Sequence, residues 1–161
     1  MKLVNLMERL NCIRQLAKYR VIYGNKIEFA DTVFVRKNFS VNIDKDAKII
    51  IGRDVFFNNG CSLNAKELIT IGDNCLFGEG VKIYDHNHIY TDRNVPIRNQ
   101  GFKSRTVTIG SNCWIASNVV ILPGSIIGNH CVIGANCVIH GVIKDDTLLM
   151  NCGNMEQKAI S

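Results

Sequence analysis

The stretch Ile109–Lys144, IGSNCW-IASNVV-ILPGSI-IGNHCV-IGANCV-IHGVIK, decides how the rest of the chain is read. In steps of six it places Ile109, Ile115, Ile121, Ile127, Ile133 and Ile139 at one phase. Four residues after each stand Cys113, Val119, Ser125, Cys131, Cys137 and Ile143, most of them small. A fixed hexad with one bulky aliphatic and one small inward position marks a parallel β-helix, each hexad giving one short strand and a corner. One coil of this kind cannot bury its isoleucines, so coils must stack into a solenoid. A period of six fits neither the 3.6 of an α-helix nor the alternation of a sandwich strand.

Working outward, the hexads Ile51, Phe57, Leu63 and then Ile71, Phe77, Ile83 keep the pattern, with a two-residue slip between them. Residues 27–50 are ragged, with Val33 and Phe39 in phase and Lys45 breaking it. The count is about five coils, and the fold class is all-β. The small slot is held by Glu67 in one coil and Asn87 in another, and both are expected to mark a working site or an open corner. Ahead of the coils, Leu3, Leu6, Met7, Leu10, Ile13 and Leu16 recur at spacings of three and four, predicting an amphipathic helix that ends before Gly24 and caps the first coil. The expected organisation is a cap over 1–26, a β-helix over 27–144 with an extruded loop at 89–108, and a tail over 145–161.

Composition limits the function. The 161 residues are 47% hydrophobic, enough for one core, and contain neither a membrane-length apolar run nor a secretory leader pattern, so the expected compartment is the cytoplasm. Five of the seven cysteines, Cys61, Cys75, Cys113, Cys131 and Cys137, fall in the small inward slot and read as core fillers. A net charge of +5 suits an anionic ligand, and without interleaved aromatics nucleic acid is not expected.

The chemistry gathers where the repeat breaks, at Tyr84-Asp85-His86-Asn87-His88, followed by a loop holding Asp92, Arg93, Arg98, Lys103 and Arg105. Excursions from repeat folds carry function more often than the repeats do. Two imidazoles at i and i+2 point the same way on a strand, and either can take a proton from a hydroxyl or amine. Asp85 and Asp92 are both candidates to orient the base. A metal held by His86 and His88 with His130 or His140 is the competing reading, but the chain lacks the His-x4-His spacing of β-helical zinc enzymes, so no metal is expected. Trp114 is too large for these narrow coils and should point outward, into a cleft or onto plain surface.

With Gly110–Ser117 (GSNCWIAS), Leu122-Pro123-Gly124 and Ile133-Gly134-Ala135, these features resemble the hexapeptide-repeat acyltransferases, in particular the maltose/galactoside and polysaccharide O-acetyltransferases, over residues 27–144. The resemblance implies a left-handed coil, a homotrimer with sites between subunits, acetyl-CoA as donor and a saccharide acceptor. It implies His88 as general base, with His86 second and Asp85 beside them. Trp114, Ala116, Ser117 and Ala135 would line the donor, with Lys144 or Lys158 toward its phosphates, and Tyr84, Asn87 and Arg98 would meet the acceptor. The tail departs from the family: His140-Gly141 and Asn151-Cys152-Gly153-Asn154 stand where a Thr-Lys and a Gly-x-Pro-Ala-Lys segment are usual. O-acetylation of a sugar is the leading expectation. N-acylation of an amino sugar and a non-catalytic scaffold are the alternatives.

Overall fold

A computed structural model describes residues 6–151 and 155–159. The chain winds into a left-handed parallel β-helix whose three sides are parallel sheets. The first sheet stacks Ile27–Phe29, Lys48–Ile51, Leu68–Ile71, Val107–Ile109, Ile126–Ile127 and Val142–Ile143. The second stacks Phe34–Val35, Phe56–Phe57, Leu76–Phe77, Trp114–Ile115, Val132–Ile133 and Thr147–Asn151, and the third Ser40–Ile43, Ser62–Ala65, Lys82–Tyr84, Val120–Ile121 and Val138–Ile139. Six rungs in each of the first two sheets mean about six turns rather than the five counted from the hexads. The ragged stretch 27–50 is the reason: its strands are in register with those above, Ile27 with Ile49 and Phe34 with Phe56, although Asp44 to Ala47 lengthen one corner. At the far end, Thr147–Asn151 carries the second sheet past residue 144 and Met155–Ala159 closes it antiparallel.

The isoleucine ladder is the core. Ile109, Ile115, Ile121, Ile127, Ile133 and Ile139 are all essentially inaccessible, as are Cys61, Cys75, Cys113, Cys131 and Cys137 at the corners. Burial pushes the Cys61 thiol up to about 11, which keeps it a neutral filler. Phe39, Phe57 and Phe77 stack through the lower coils with centroids 4.9 and 4.5 Å apart.

One corner shows how closely the coils sit. Asp73 Oδ1 accepts from Arg53 N at 2.7 Å, Ser111 Oγ from Asp73 N at 3.1 Å, Asn129 Oδ1 from Ser111 N at 2.9 Å and Asp145 Oδ1 from Asn129 N at 2.8 Å. Each polar side chain therefore caps the coil beneath it. The residue before each capped amide is Gly52, Gly72, Gly110 or Gly128, because a side chain there would run into the cap at Gly52, Gly72 and Gly128 and into the next coil's backbone at Gly110.

The open end of the first coil is covered by α1 (Leu6–Tyr23). Its buried face is Cys12, Leu16 and Tyr19, with Tyr23 half-buried against them; of the expected stripe Leu16 is buried, while Leu6, Met7, Leu10 and Ile13 are exposed. Hydrogen bonding chooses the face. The first coil has no coil beneath it to satisfy its carbonyls. Tyr19 Oη donates to Phe39 O at 2.8 Å, Tyr23 Oη to Val41 O at 3.0 Å, Gln15 Nε2 to Arg36 O at 2.9 Å and an Arg20 guanidinium nitrogen to Phe29 O at 3.2 Å. Leu6, Leu10 and Ile13 offer no donor, so they are turned away.

Gly110→Ala tests the stacking. Its Cβ would lie 2.7 Å from the Gly128 carbonyl and 2.8 Å from Asn129 N, backbone atoms that cannot swing aside. The expected loss is about 1–3 kcal/mol in urea unfolding, the usual cost of overpacking.

Candidate active site on the excursion

The third coil ends differently from its neighbours because Asp85 occupies the inward position that Ala65 fills one coil below. Asp85 is fully buried. Glu67 and Asn87, expected inward from the hexad count, are both exposed; the phase shifts so that Asp85 takes the inward place instead. A buried carboxylate is tolerated only if its oxygens are satisfied. Here Lys66 N donates at 2.8 and 3.0 Å and Glu67 N at 2.7 Å. His86 Nδ1 lies 3.0 Å from the same carboxylate. Since Asp85 already serves as acceptor to backbone amides, the proton of that contact belongs on Nδ1, so in the neutral ring Nε2 is the nitrogen that carries the lone pair. The main chain of Asp85 is held as well, its carbonyl accepting Arg105 N at 2.7 Å where the excursion returns. Of the two candidate orienting carboxylates, Asp85 is therefore the one in contact; Asp92 is engaged with Asn94 and Gln100 in the loop.

The excursion opens as a two-stranded antiparallel ribbon, His86–His88 against Phe102–Ser104. Opposed residues share a side, so His86, Ser104, His88 and Phe102 form one face and Asn87 and Lys103 the other. Phe102 packs between the imidazoles, edge-on to His86 at 5.3 Å and tilted against His88 at 4.3 Å. Lys66 Nζ lies 3.8 Å from the Phe102 ring centroid and 2.6 Å from Asp44, so the aromatic wedge is itself braced. The return leg is tied down by Glu67, which accepts Thr106 Oγ1 at 2.9 Å; hydrogen bonds from Ser104 and Thr106 hold its carboxyl below the usual range. Beyond the ribbon, Gln100 staples the loop, receiving Asp92 N at 3.1 Å and donating to Asp92 O and Val95 O at 2.8 and 2.7 Å.

A hollow of ≈ 360 Å³ lies beside the ribbon, lined by Tyr84, His86, Asn87, His88, Val120 and Leu122. His88 is exposed at the ribbon's end and His86 is mostly covered. Four expected residues, Tyr84, His86, Asn87 and His88, thus meet in one place. The sequence reading missed Val120 and Leu122, the outward residues of the next coil that wall it, and Phe102. Alternation of Phe102 and Ser104 with Lys103 and Arg105 was the available signal for the ribbon. On the opposite side Asn87, Lys103, Arg105, Pro123 and His140 line a smaller hollow of ≈ 170 Å³. Arg98, on the short turn Ile97–Asn99, is exposed and lines neither.

The residues expected to meet a donor are spread over other sides. Trp114 points outward, 53% exposed, between Leu76 and Val132 on the second sheet. Ala116, Ser117 and Ala135 follow at the corner between the second and third sheets, where the Ser117 carbonyl already accepts Asn136 N at 3.0 Å. Alongside Trp114 the corresponding positions of the same side hold only small residues, Gly78, Ala116 and Gly134. Lys144 stands at the other corner of the second sheet, its carbonyl taken by the Cys131 thiol at 3.1 Å. Lys158 and Cys152–Asn154 lie outside the residues whose side chains are described.

A coil of hexads interrupted once by a histidine-bearing ribbon defines a class, and comparison with known proteins agrees. The family model described as bacterial transferase hexapeptide (six repeats) matches residues 106–141, and that of the hexapeptide repeat of succinyl-transferase matches 68–83. The putative lipopolysaccharide biosynthesis O-acetyl transferase WbbJ of Escherichia coli K12 is 29% identical across 87% of this chain and 82% of its own length. Galactoside O-acetyltransferase of the same organism is 36% identical over 58% of this chain, which spans 45% of that longer protein. Among solved structures, the hexapeptide-repeat acetyltransferase VCA0836 of Vibrio cholerae, complexed with acetyl coenzyme A, superposes with a TM-score of 0.72 at 25% identity, covering 99% of this chain and 80% of that one. The chain carries the hexapeptide repeats of the bacterial transferases over residues 68–83 and 106–141, and the relatives and structural neighbours it resembles support an acetyltransferase of the O-acetyltransferase branch.

Asp85→Asn keeps the shape but turns one oxygen into a donor facing backbone amides. It should lower unfolding stability by about 1–3 kcal/mol, whereas Asp92→Asn on the exposed loop should stay within about 0.5 kcal/mol. Equal effects at the two positions would show that the buried carboxylate does not anchor the ribbon.

Proposed function

We propose that this protein transfers an acetyl group from acetyl-CoA to a sugar hydroxyl in the cytoplasm, during assembly of a surface polysaccharide, and that it works as a homotrimer. The observation that carries the reading is the Asp85-anchored ribbon, which holds two imidazoles on one face over a hollow of sugar size. A thioester is already activated, so the protein has only to align donor and acceptor and to move one proton.

In this reading His88, at the exposed end of the ribbon, takes the proton from the acceptor hydroxyl as the oxygen attacks the thioester carbonyl. It returns that proton to the departing sulfur. Phe102 fixes the tilt of the His88 ring, while Tyr84, Val120 and Leu122 shape the acceptor's seat and Asn87 offers an amide to its hydroxyls. The small residues Gly78, Ala116 and Gly134 beside Trp114 would let an extended pantetheine arm lie along the strands, with backbone groups of Ser117 and Ala135 at its edge. Trp114 and the imidazoles sit on different sides of one chain, so a groove bounded by both needs the second sheet of a neighbouring copy. That need supports a closed cyclic assembly.

A second reading concerns the base. The Asp85–His86 pair has the carboxylate–imidazole geometry of a proton acceptor, and on that observation His86 is the alternative. N-acylation of an amino sugar would use the same groups.

Single variants separate the two bases. With acetyl-CoA and a panel of saccharides, His88→Ala should lower kcat by roughly 10²-fold or more, the usual contribution of a positioned base. His86→Ala should cost less and lower stability as well. A variant of His88 that turns over at the native rate, with His86→Ala inactive, would move the role to His86.

A further inference from the structure

The side of α1 turned away from the solenoid has no role in the fold described above. Leu6, Leu10, Ile13, Ala17 and Val21 follow one another at steps of four, three, four and four, so they form a single stripe. Leu6 is 70% exposed, Leu10 54%, Ile13 64% and Val21 85%. Cations border it on both sides: Arg14 and Lys18 along one margin and Arg9 along the other, each within about 100° of its centre around the helix axis. Glu8, the single acidic residue of α1, faces inward to Arg36 at 3.9 Å.

A hollow of ≈ 350 Å³ opens beside the stripe between the helix and the first coil, lined by Asn11, Arg14, Gln15, Lys18, Lys37 and Asn38. It presents three cations and no carboxylate. An apolar strip edged by Arg and Lys, with a cationic notch at its margin, matches the arrangement of a helix lying in the headgroup layer of an anionic bilayer.

We propose that α1 docks this protein on an anionic membrane surface, with Leu6, Leu10, Ile13 and Val21 entering the acyl boundary and the Arg14–Lys18–Lys37 notch receiving lipid phosphate. The helix lies flat, for no helix among the described residues is long and apolar enough to cross a membrane. Charge argues for lipid over a second copy of the same face. Two such stripes in contact would bring their cationic borders together, whereas anionic headgroups neutralise them. In a cyclic assembly whose axis runs parallel to the solenoid the α1 helices of all copies lie at one end, so their attachments reinforce one another. The inference does not depend on which histidine is the base or on the identity of the acceptor.

Sedimentation of the full chain with phosphatidylglycerol-containing vesicles, against vesicles of phosphatidylcholine alone, tests it. The protein should pellet with the anionic vesicles and be released by raised salt. Leu10→Glu with Ile13→Glu should weaken partitioning tenfold or more, since exposed apolar area drives insertion. Arg14→Gln with Lys18→Gln should weaken it about five-fold per charge removed. All four positions are exposed, so circular dichroism and thermal melts should match the native protein, and turnover of a water-soluble acceptor should be unchanged. Equal recovery with both vesicle types, or native-level binding by the Leu10/Ile13 variant, would overturn the proposal. So would a fall in solution mass of that variant without vesicle binding by the native protein, which would assign the stripe to a second copy.

Discussion

Each coil of this protein rests on the next through main-chain hydrogen bonds at near-ideal length, such as Gly110 N to Ile127 O at 2.8 Å, Trp114 N to Cys131 O at 2.8 Å and Val120 N to Cys137 O at 2.9 Å. That contact leaves one strand spacing between backbones, and everything else conforms to it. Inward positions accept a bulky aliphatic or aromatic side chain on the strand and, at most corners, a small residue. Corner glycines persist where a cap or the backbone of the next coil fills the Cβ position. The ends require special treatment, because a coil without a neighbour exposes a row of carbonyls. Tyrosine, glutamine and arginine side chains of α1 meet that need at one end and an antiparallel strand meets it at the other.

The excursion obeys the same constraint. A carboxylate placed inward at Asp85 would be costly in an apolar ladder, yet it sits where two amides of the preceding corner lack a partner. One group thereby does three things: it closes the corner of the second coil, fixes the ribbon to the solenoid and orients His86. Rigid coils beneath and a braced aromatic wedge beside the imidazoles give the site its fixed geometry without help from the longer loop. The loop beyond is held mainly by the Gln100 amide.

Legibility differed by element, for physical reasons. The solenoid was readable because a six-residue period survives any substitution that keeps volume, and the five corner cysteines followed from it. Coil number was undercounted where Asp44 to Ala47 lengthen a corner, since extra residues at a corner break the count without breaking the ladder. The inward polar residue was assigned to Glu67 and Asn87 rather than Asp85 because the slip at the third corner shifts the phase by two. Apolar spacing on α1 placed Leu16 on the buried face but grouped it with Leu6, Met7, Leu10 and Ile13, which are exposed. Burial there is decided by which side chains donate to the first coil's carbonyls, and hydropathy carries no information about unmet acceptors.

The sequence by itself determined the repeat, hence the fold, and the place where the repeat fails, hence the location of the imidazoles. Both are local, being written in spacing along the chain. Only the tertiary structure decided that Asp85 rather than Asp92 holds His86, that Val120 and Leu122 wall the hollow, and that Trp114 and the histidines lie on different sides of the coil. Those relations join residues one coil or one corner apart, and their geometry is set by how far the backbone has wound and not by the order of residues within any one hexad.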